Sequence, residues 1–163
     1  MKKPSKIEVV TAKKAFLLPS AFRAITLFGV VYCQRESDIK LINQTDEIDS
    51  ILKSHETIHV RQAESMKDSW FFFYIRYVWE WIKNFPLIFV NINAPYMFMP
   101  IEMEAYLKQD NWKYATNGAV TKWKELEKLT LKEKRNMAKE YYKSKPYFTH
   151  FLNIKLKAKN GTI

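Results

Sequence analysis

Residues 54–62, "SHETIHVRQ", decide how this chain is read: His55 and His59 stand four residues apart, and Glu56 directly follows the first. Around them Ile48, Ile51, Leu52, Ile58, Gln62 and Met66 recur with the histidines at spacings of three and four, the period of one helix face. Lys53, Arg61, Glu64 and Lys67 fall largely elsewhere, so both imidazoles are expected on the inward, apolar stripe. Thr45, Asp46 and Asp49 are the N-cap candidates for that helix.

Residues four apart on a helix project one above the other, so His55 and His59 can bind one tetrahedral zinc. Glu56 lies about 100° around the axis, where it can hold and deprotonate a water without ligating the metal. The plainer alternative is a helix with one hydrogen-bonded core histidine and another partly exposed. Two neutral imidazoles on an apolar stripe make that costly, because each buried ring must find partners for both nitrogens. A catalytic zinc needs a third protein ligand and one open position. His150 is a candidate, although it sits in a basic tail; a stronger one is Glu102 in "PIEMEAY", residues 100–106, at the start of a predicted helix and three residues before Ala105.

Taken together, His55, Glu56, His59, Glu102 and Ala105 resemble the gluzincin metallopeptidases, in which an HExxH helix is followed by a helix bearing a zinc-binding glutamate in an ExxA setting. "FRAITLFG" (22–29) and the aromatic "FFFYIRYVWEW" (71–81) extend the likeness to small uncharacterised bacterial HExxH proteins. The resemblance implies a minimal zincin fold of α+β class, zinc as cofactor, His55, His59 and Glu102 as ligands, and Glu56 as catalytic base in peptide-bond hydrolysis by a metal-activated water. It also implies a strand lining the cleft, for which residues 22–34 are the candidate. Glu104 is the alternative third ligand; residues two apart on a helix face nearly opposite ways, so only one can serve, and the spacing to Ala105 favours Glu102. Where the family often carries an acidic residue four positions after the ligand glutamate, this chain has Tyr106, whose hydroxyl can accept from an imidazole N–H. Gln62 can hydrogen-bond a ligand or serve as a partly buried capping amide. Tyr74, Tyr77 and Tyr96 are candidate oxyanion donors, and Arg23 and Arg61 read as salt-bridge partners.

Length and composition set the frame. A chain of 163 residues, 47% apolar with only three glycines, reads as one helix-rich domain. Within it we expect a flexible basic arm (1–15), a zincin-like core (20–116), an amphipathic C-terminal helix (118–145) and a frayed basic tail (146–163). Residues 22–34 read as a strand or hairpin, and "IKLIN" (39–43) as a second short strand. The helix after Asp68 and Ser69 is apolar nearly all round, which places it at the centre of the core with Trp70, Trp79 and Trp81. Residues 86–99 read as an irregular connection.

The net charge of +10 favours anionic partners. The late lysines alternate with Glu125, Glu127, Glu133 and Glu140, the pattern of a solvated helix face rather than a nucleic-acid-binding stripe. A peptide or protein is the expected substrate, and an anionic membrane surface a further candidate contact. Cys33 is the sole cysteine, which excludes an internal disulfide and a cysteine-based zinc cluster and fits a reducing, cytoplasmic setting. No signal peptide is evident, and Arg76, Glu80, Lys83 and several prolines break the apolar runs before they reach spanning length. The alternative function is a non-catalytic metal-binding or membrane- or partner-binding protein of the same fold.

Overall fold

The computed structural model describes residues 12–14, 23–44, 51–66, 69–117 and 120–160. They form a mainly helical arrangement with one three-stranded sheet at its N-terminal end. The strands β1 (Ala12–Lys14), β2 (Ala24–Leu27) and β3 (Val30–Cys33) lie in the order β1-β3-β2, so β2 is an edge strand. β1 runs parallel to β3. β2 pairs antiparallel, with Ala24 opposite Cys33 and Leu27 opposite Val30, which leaves Phe28 and Gly29 as a two-residue turn. Both turn residues have positive φ, 51° and 78°, as the tight hairpin requires. Gly29 adopts this freely, whereas a phenylalanine there is an outlier. Phe28 is held by its N–H, which donates to the Tyr74 hydroxyl at 2.9 Å, and by edge contacts with the Trp70 and Tyr74 rings.

Helix α1 (Glu36–Gln44) is tied to the sheet by Arg23, which donates to the buried Asp38 carboxylate. Residues 39–43, expected as a strand, belong to this helix: Ile39 and Ile42, three apart, pack on Val31 and Cys33, and Glu36 and Asp38 suit its first turn. Then come α2 (Ile51–Ser65), α3 (Trp70–Asn84, capped by the Ser69 hydroxyl), a 3-10 turn (Phe85–Phe89), α4 (Ala94–Met97), α5 (Pro100–Lys108), α6 (Trp112–Asn117), α7 (Lys122–Leu126), α8 (Leu131–Ser144) and α9 (Phe148–Asn160). The predicted caps Thr45, Asp46, Asp49 and Asp68 and most of the expected N-terminal arm lie outside the described residues.

Helix α5 is the centre of the molecule. Pro100 through Ala105 and Leu107 are all buried, between α2 on one side and α6, α7 and α9 on others. Phe98, Met103, Leu126, Phe148 and Leu152 form the largest apolar cluster around it.

Three further expectations are corrected. Residues 118–145 do not make one helix: α7 stops at Leu126, and Thr130 accepts from the Glu133 N–H while the Glu133 carboxylate accepts from the Thr130 N–H, a capping box that starts α8. Residues 148–160, expected as a frayed tail, form α9, whose Phe148, Phe151 and Leu152 share one face at spacings of three and four and pack into the core. Helix α3 is not central. Its inward stripe is Phe73, Tyr77, Glu80 and Asn84, while Phe71, Ile75, Val78, Trp79 and Ile82 are each at least half exposed. Trp81 is exposed too; only Trp70 joins a buried cluster.

Candidate metal centre

Helix α2 is polar on average, yet Ser54 through His59, Gln62 and Ala63 are all buried. It is covered by β2, α5 and α6. Close approach to α5 is possible because Ala105 is small: it packs directly with Ile58 in one cluster. Gln62 locks the pair, its amide NH2 donating to the Ile101 carbonyl at 3.0 Å and to a Glu104 oxygen at 2.7 Å. The first turn of α5 therefore delivers Glu102 to the two histidines.

The three side chains converge. His55 Nε2 and His59 Nε2 are 3.2 Å apart, Glu102 Oε2 is 3.4 Å from the former, and Glu102 Oε1 is 3.3 Å from the latter. Atoms that ligate one tetrahedral ion at about 2.0–2.1 Å lie about 3.3–3.4 Å from one another. These separations are those of donors sharing one coordination shell, built from two imidazoles and a carboxylate whose two oxygens each face one imidazole.

The proton positions follow from the surrounding hydrogen bonds. Gln62 spends its NH2 on two pure acceptors, so the oxygen that faces His59 Nδ1 at 2.8 Å must receive a proton from it. Gln109 does the same for His55. Its NH2 reaches the Tyr147 and Thr149 hydroxyls, whose own protons go to Asp110 and to the Tyr106 carbonyl, leaving Gln109 Oε1 to accept from His55 Nδ1 at 3.1 Å. Both Nε2 lone pairs then point at Glu102. Glu102 Oε2 is buried without a hydrogen-bond partner. Three electron-rich atoms facing one another demand a positive charge between them. Without metal, a proton on His59 supplies it: burial pulls that imidazole down, but the Glu102 charge overrides it and raises the pKa to about 9. Burial likewise pushes Glu102 up, and the charge on the adjacent His59, with both imidazoles beside it, holds it well below the usual carboxylate range. A divalent cation at the same point would satisfy all three atoms at once, so the residues present fit a metal.

The other candidates fall into place around this point. Glu56 is buried, accepts from the Thr26 hydroxyl of β2, and lines both cavities that flank the centre. One, of about 570 Å³, is bordered by Arg23, His55, Tyr96, Tyr106, Gln109 and Tyr147. The other, of about 340 Å³, is bordered by β2, His59, Phe73, Tyr77, Tyr96 and Glu102. Tyr77 donates to Glu102 Oε1 at 2.8 Å, and Tyr74 donates to the Thr26 carbonyl, away from the metal point. Glu104 is not brought to the histidines: it is buried on the other side of α5, where Gln62, Tyr114 and the Lys122 N–H bind it. Tyr106 sets its ring edge-on to His55 at 4.7 Å, and the Nδ1 contact expected of its hydroxyl is made by Gln109 instead. His150 is exposed on α9, Arg23 pairs with Asp38, and Arg61 with Glu64. Gln109 had a readable signal, since seven residues after Glu102 is two helical turns on the same face. Its supports, Tyr147 and Thr149, are remote in sequence and had none.

No family model matches this sequence, and no curated protein or solved structure is significantly similar to it.

Proposed function

We propose that the chain is a zinc-dependent peptidase of minimal gluzincin type, with His55, His59 and Glu102 holding the metal and Glu56 acting as base. The observation that carries this reading is the convergence of the two Nε2 atoms, 3.2 Å apart, on the Glu102 carboxylate, whose oxygens lie 3.4 and 3.3 Å from them, with both Nδ1 protons directed outward to glutamines. Zinc bound there would make a water acidic enough to be deprotonated near neutral pH and would polarise a substrate carbonyl. Glu56 would take the proton as the water oxygen attacks the carbonyl carbon, then pass it to the amine nitrogen as the C–N bond breaks. The Thr26 hydroxyl fixes one Glu56 oxygen and so sets the direction of the other. Tyr96 borders both cavities beside Glu102; burial, then the Glu102 charge, keeps its phenol protonated well above the ordinary range, as a donor to the carbonyl oxygen must be. An extended substrate suits the site because β2 is an edge strand bordering the smaller cavity.

The test pairs zinc stoichiometry with cleavage of a quenched fluorescent peptide library. We expect one zinc per chain, peptide cleavage by the wild type, and in Glu56→Gln full zinc with turnover lower by about 10²–10⁴-fold. Failure to bind zinc tightly overturns the metal centre. Full zinc without cleavage in either protein leaves a non-catalytic metal site, and undiminished cleavage in Glu56→Gln refutes the base.

A further inference from the structure

We propose that the outward face of α3 is a docking surface for an anionic lipid bilayer, on which the helix lies in the plane of the interface. The first ground is that α3 is turned inside out. Its inward stripe carries Glu80 and Asn84, while Phe71, Ile75, Val78, Trp79 and Ile82 recur at helical spacing on the side facing water. A groove of about 510 Å³ along this face is lined by apolar and aromatic side chains alone, with Phe28 and Tyr74 completing it. At the roughly 150–250 Å² that a large side chain presents, the five stripe residues and Phe28, each at least half exposed, show roughly 500–900 Å², at or above the largest apolar patch of a typical monomer.

The second ground lies in the hairpin turn packed beside this helix. The β2–β3 turn places a bulky side chain at φ 51°, where asparagine or glycine would fit without strain, and leaves it 70% exposed at the edge of the same groove. The ring meets Trp70 and Tyr74 only along one edge, so the strained turn keeps most of it open at the rim of the groove, where an apolar partner would cover it.

Charge selects the partner. The acidic residue of α3, Glu80, is fully buried and paired with Arg76 and Lys83, so the outward face presents no carboxylate of its own. Arg76, which also pairs with Glu127, and Lys83 each follow a stripe residue by one position and run along its flank. Glu80 and Glu127 balance them there, so the attraction to anionic head groups comes from the net charge of the chain. The whole chain carries +10, which attracts anionic head groups and opposes pairing with a second copy of equal charge. Among the described residues no helix is long and apolar enough to cross a membrane, so the stripe would lie on the bilayer rather than span it. Tyr74 and its neighbours also border the smaller cavity beside the metal centre, so docking would bring that cavity close to the lipid surface.

The test is cosedimentation of the full chain with phosphatidylcholine vesicles, with and without phosphatidylglycerol. The wild type should pellet with the anionic vesicles, and the double variant Ile75→Ser, Trp79→Ser should bind them about tenfold or more weakly, with zinc content unchanged. Absence of wild-type binding overturns the proposal, as does equal binding by the double variant. So does a stable wild-type dimer in vesicle-free buffer that the same variant dissociates, because the stripe is then covered by a second copy. Should the double variant not fold, lipids brominated on the acyl chain provide the measurement: they should quench wild-type tryptophan fluorescence, less so in Trp79→Phe, and absence of quenching refutes insertion. None of these outcomes depends on peptidase activity.

Discussion

Helices α2 and α3 are consecutive, each fifteen residues long, and reverse the usual rule in opposite ways. The polar one is buried and the apolar one is half in water. Burying α2 is tolerable because its histidines and Glu56 all have partners, Ser54 Oγ being the one buried side-chain polar atom of this helix left without one. Thr26 holds Glu56, Gln109 holds His55, Gln62 holds His59, and the point all three ligands face would be filled by a cation. No comparable demand explains the exposure of α3. Its inward face is occupied by Phe73, Tyr77, Glu80 and Asn84, which meet Glu102 at one end and α8 at the other, so its remaining apolar residues have only the outside. Mean hydropathy thus ranks the two helices in the wrong order of burial, and the pairing of specific side chains ranks them correctly.

The contrast can be broken by mutation. The largest effect is expected across α3 itself: Phe73→Ala should cost about 3–5 kcal/mol, while Ile75→Ser, two residues on, should stay within about 0.5 kcal/mol, both read from urea unfolding. A costly Ile75→Ser would show that the stripe is packed. Next comes Lys134, buried on α8 with its Nζ donating to Asn84 Oδ1 at 3.1 Å. Burial lowers its pKa from 10.5 to about 8, opposed by Glu80 and reinforced by Lys83. Between those two values the unfolded chain holds the proton that the folded chain has lost. The Lys134 contribution to stability should therefore rise with pH across that window, by up to about 3 kcal/mol. It is read as the difference in pH dependence of melting between wild type and Lys134→Met, since His59, with its pKa raised, pulls the other way up to about pH 9. Smaller still, Gln109→Leu should weaken zinc binding about 10–100-fold in chelator competition. Tyr106→Phe should change it less than about threefold, since the ring rather than the hydroxyl meets His55. The reverse ranking would return the His55 contact to Tyr106.

Legibility in the sequence followed periodicity. The α2 stripe and the register of Glu102 at the head of α5 could be read because both are repeats within single helices. The capping box at "TLKE", residues 130–133, was equally local, yet the charged pattern running through it reads as one continuous helix. "IKLIN" was too short to separate a strand from a helix by pattern; its isoleucines, three apart, meet the sheet only in the assembled protein. Lys134 looked like part of a solvated face, and lies buried because Asn84, fifty residues earlier, offers it an oxygen.

From sequence alone came the helices bearing His55, Glu56, His59 and Glu102, because a helix repeats every 3.6 residues and that period relates neighbours to one another. Tertiary structure decided what no period encodes. Glu102 and not Glu104 faces the histidines, Gln109 and Gln62 fix their protons, and α3 shows water its apolar side. Those outcomes depend on contacts between distant segments, where Ala105 allows α2 and α5 to close and α9 reaches back to hold Gln109. A side chain's environment is set by what packs against it, and that partner is seldom its neighbour in the chain.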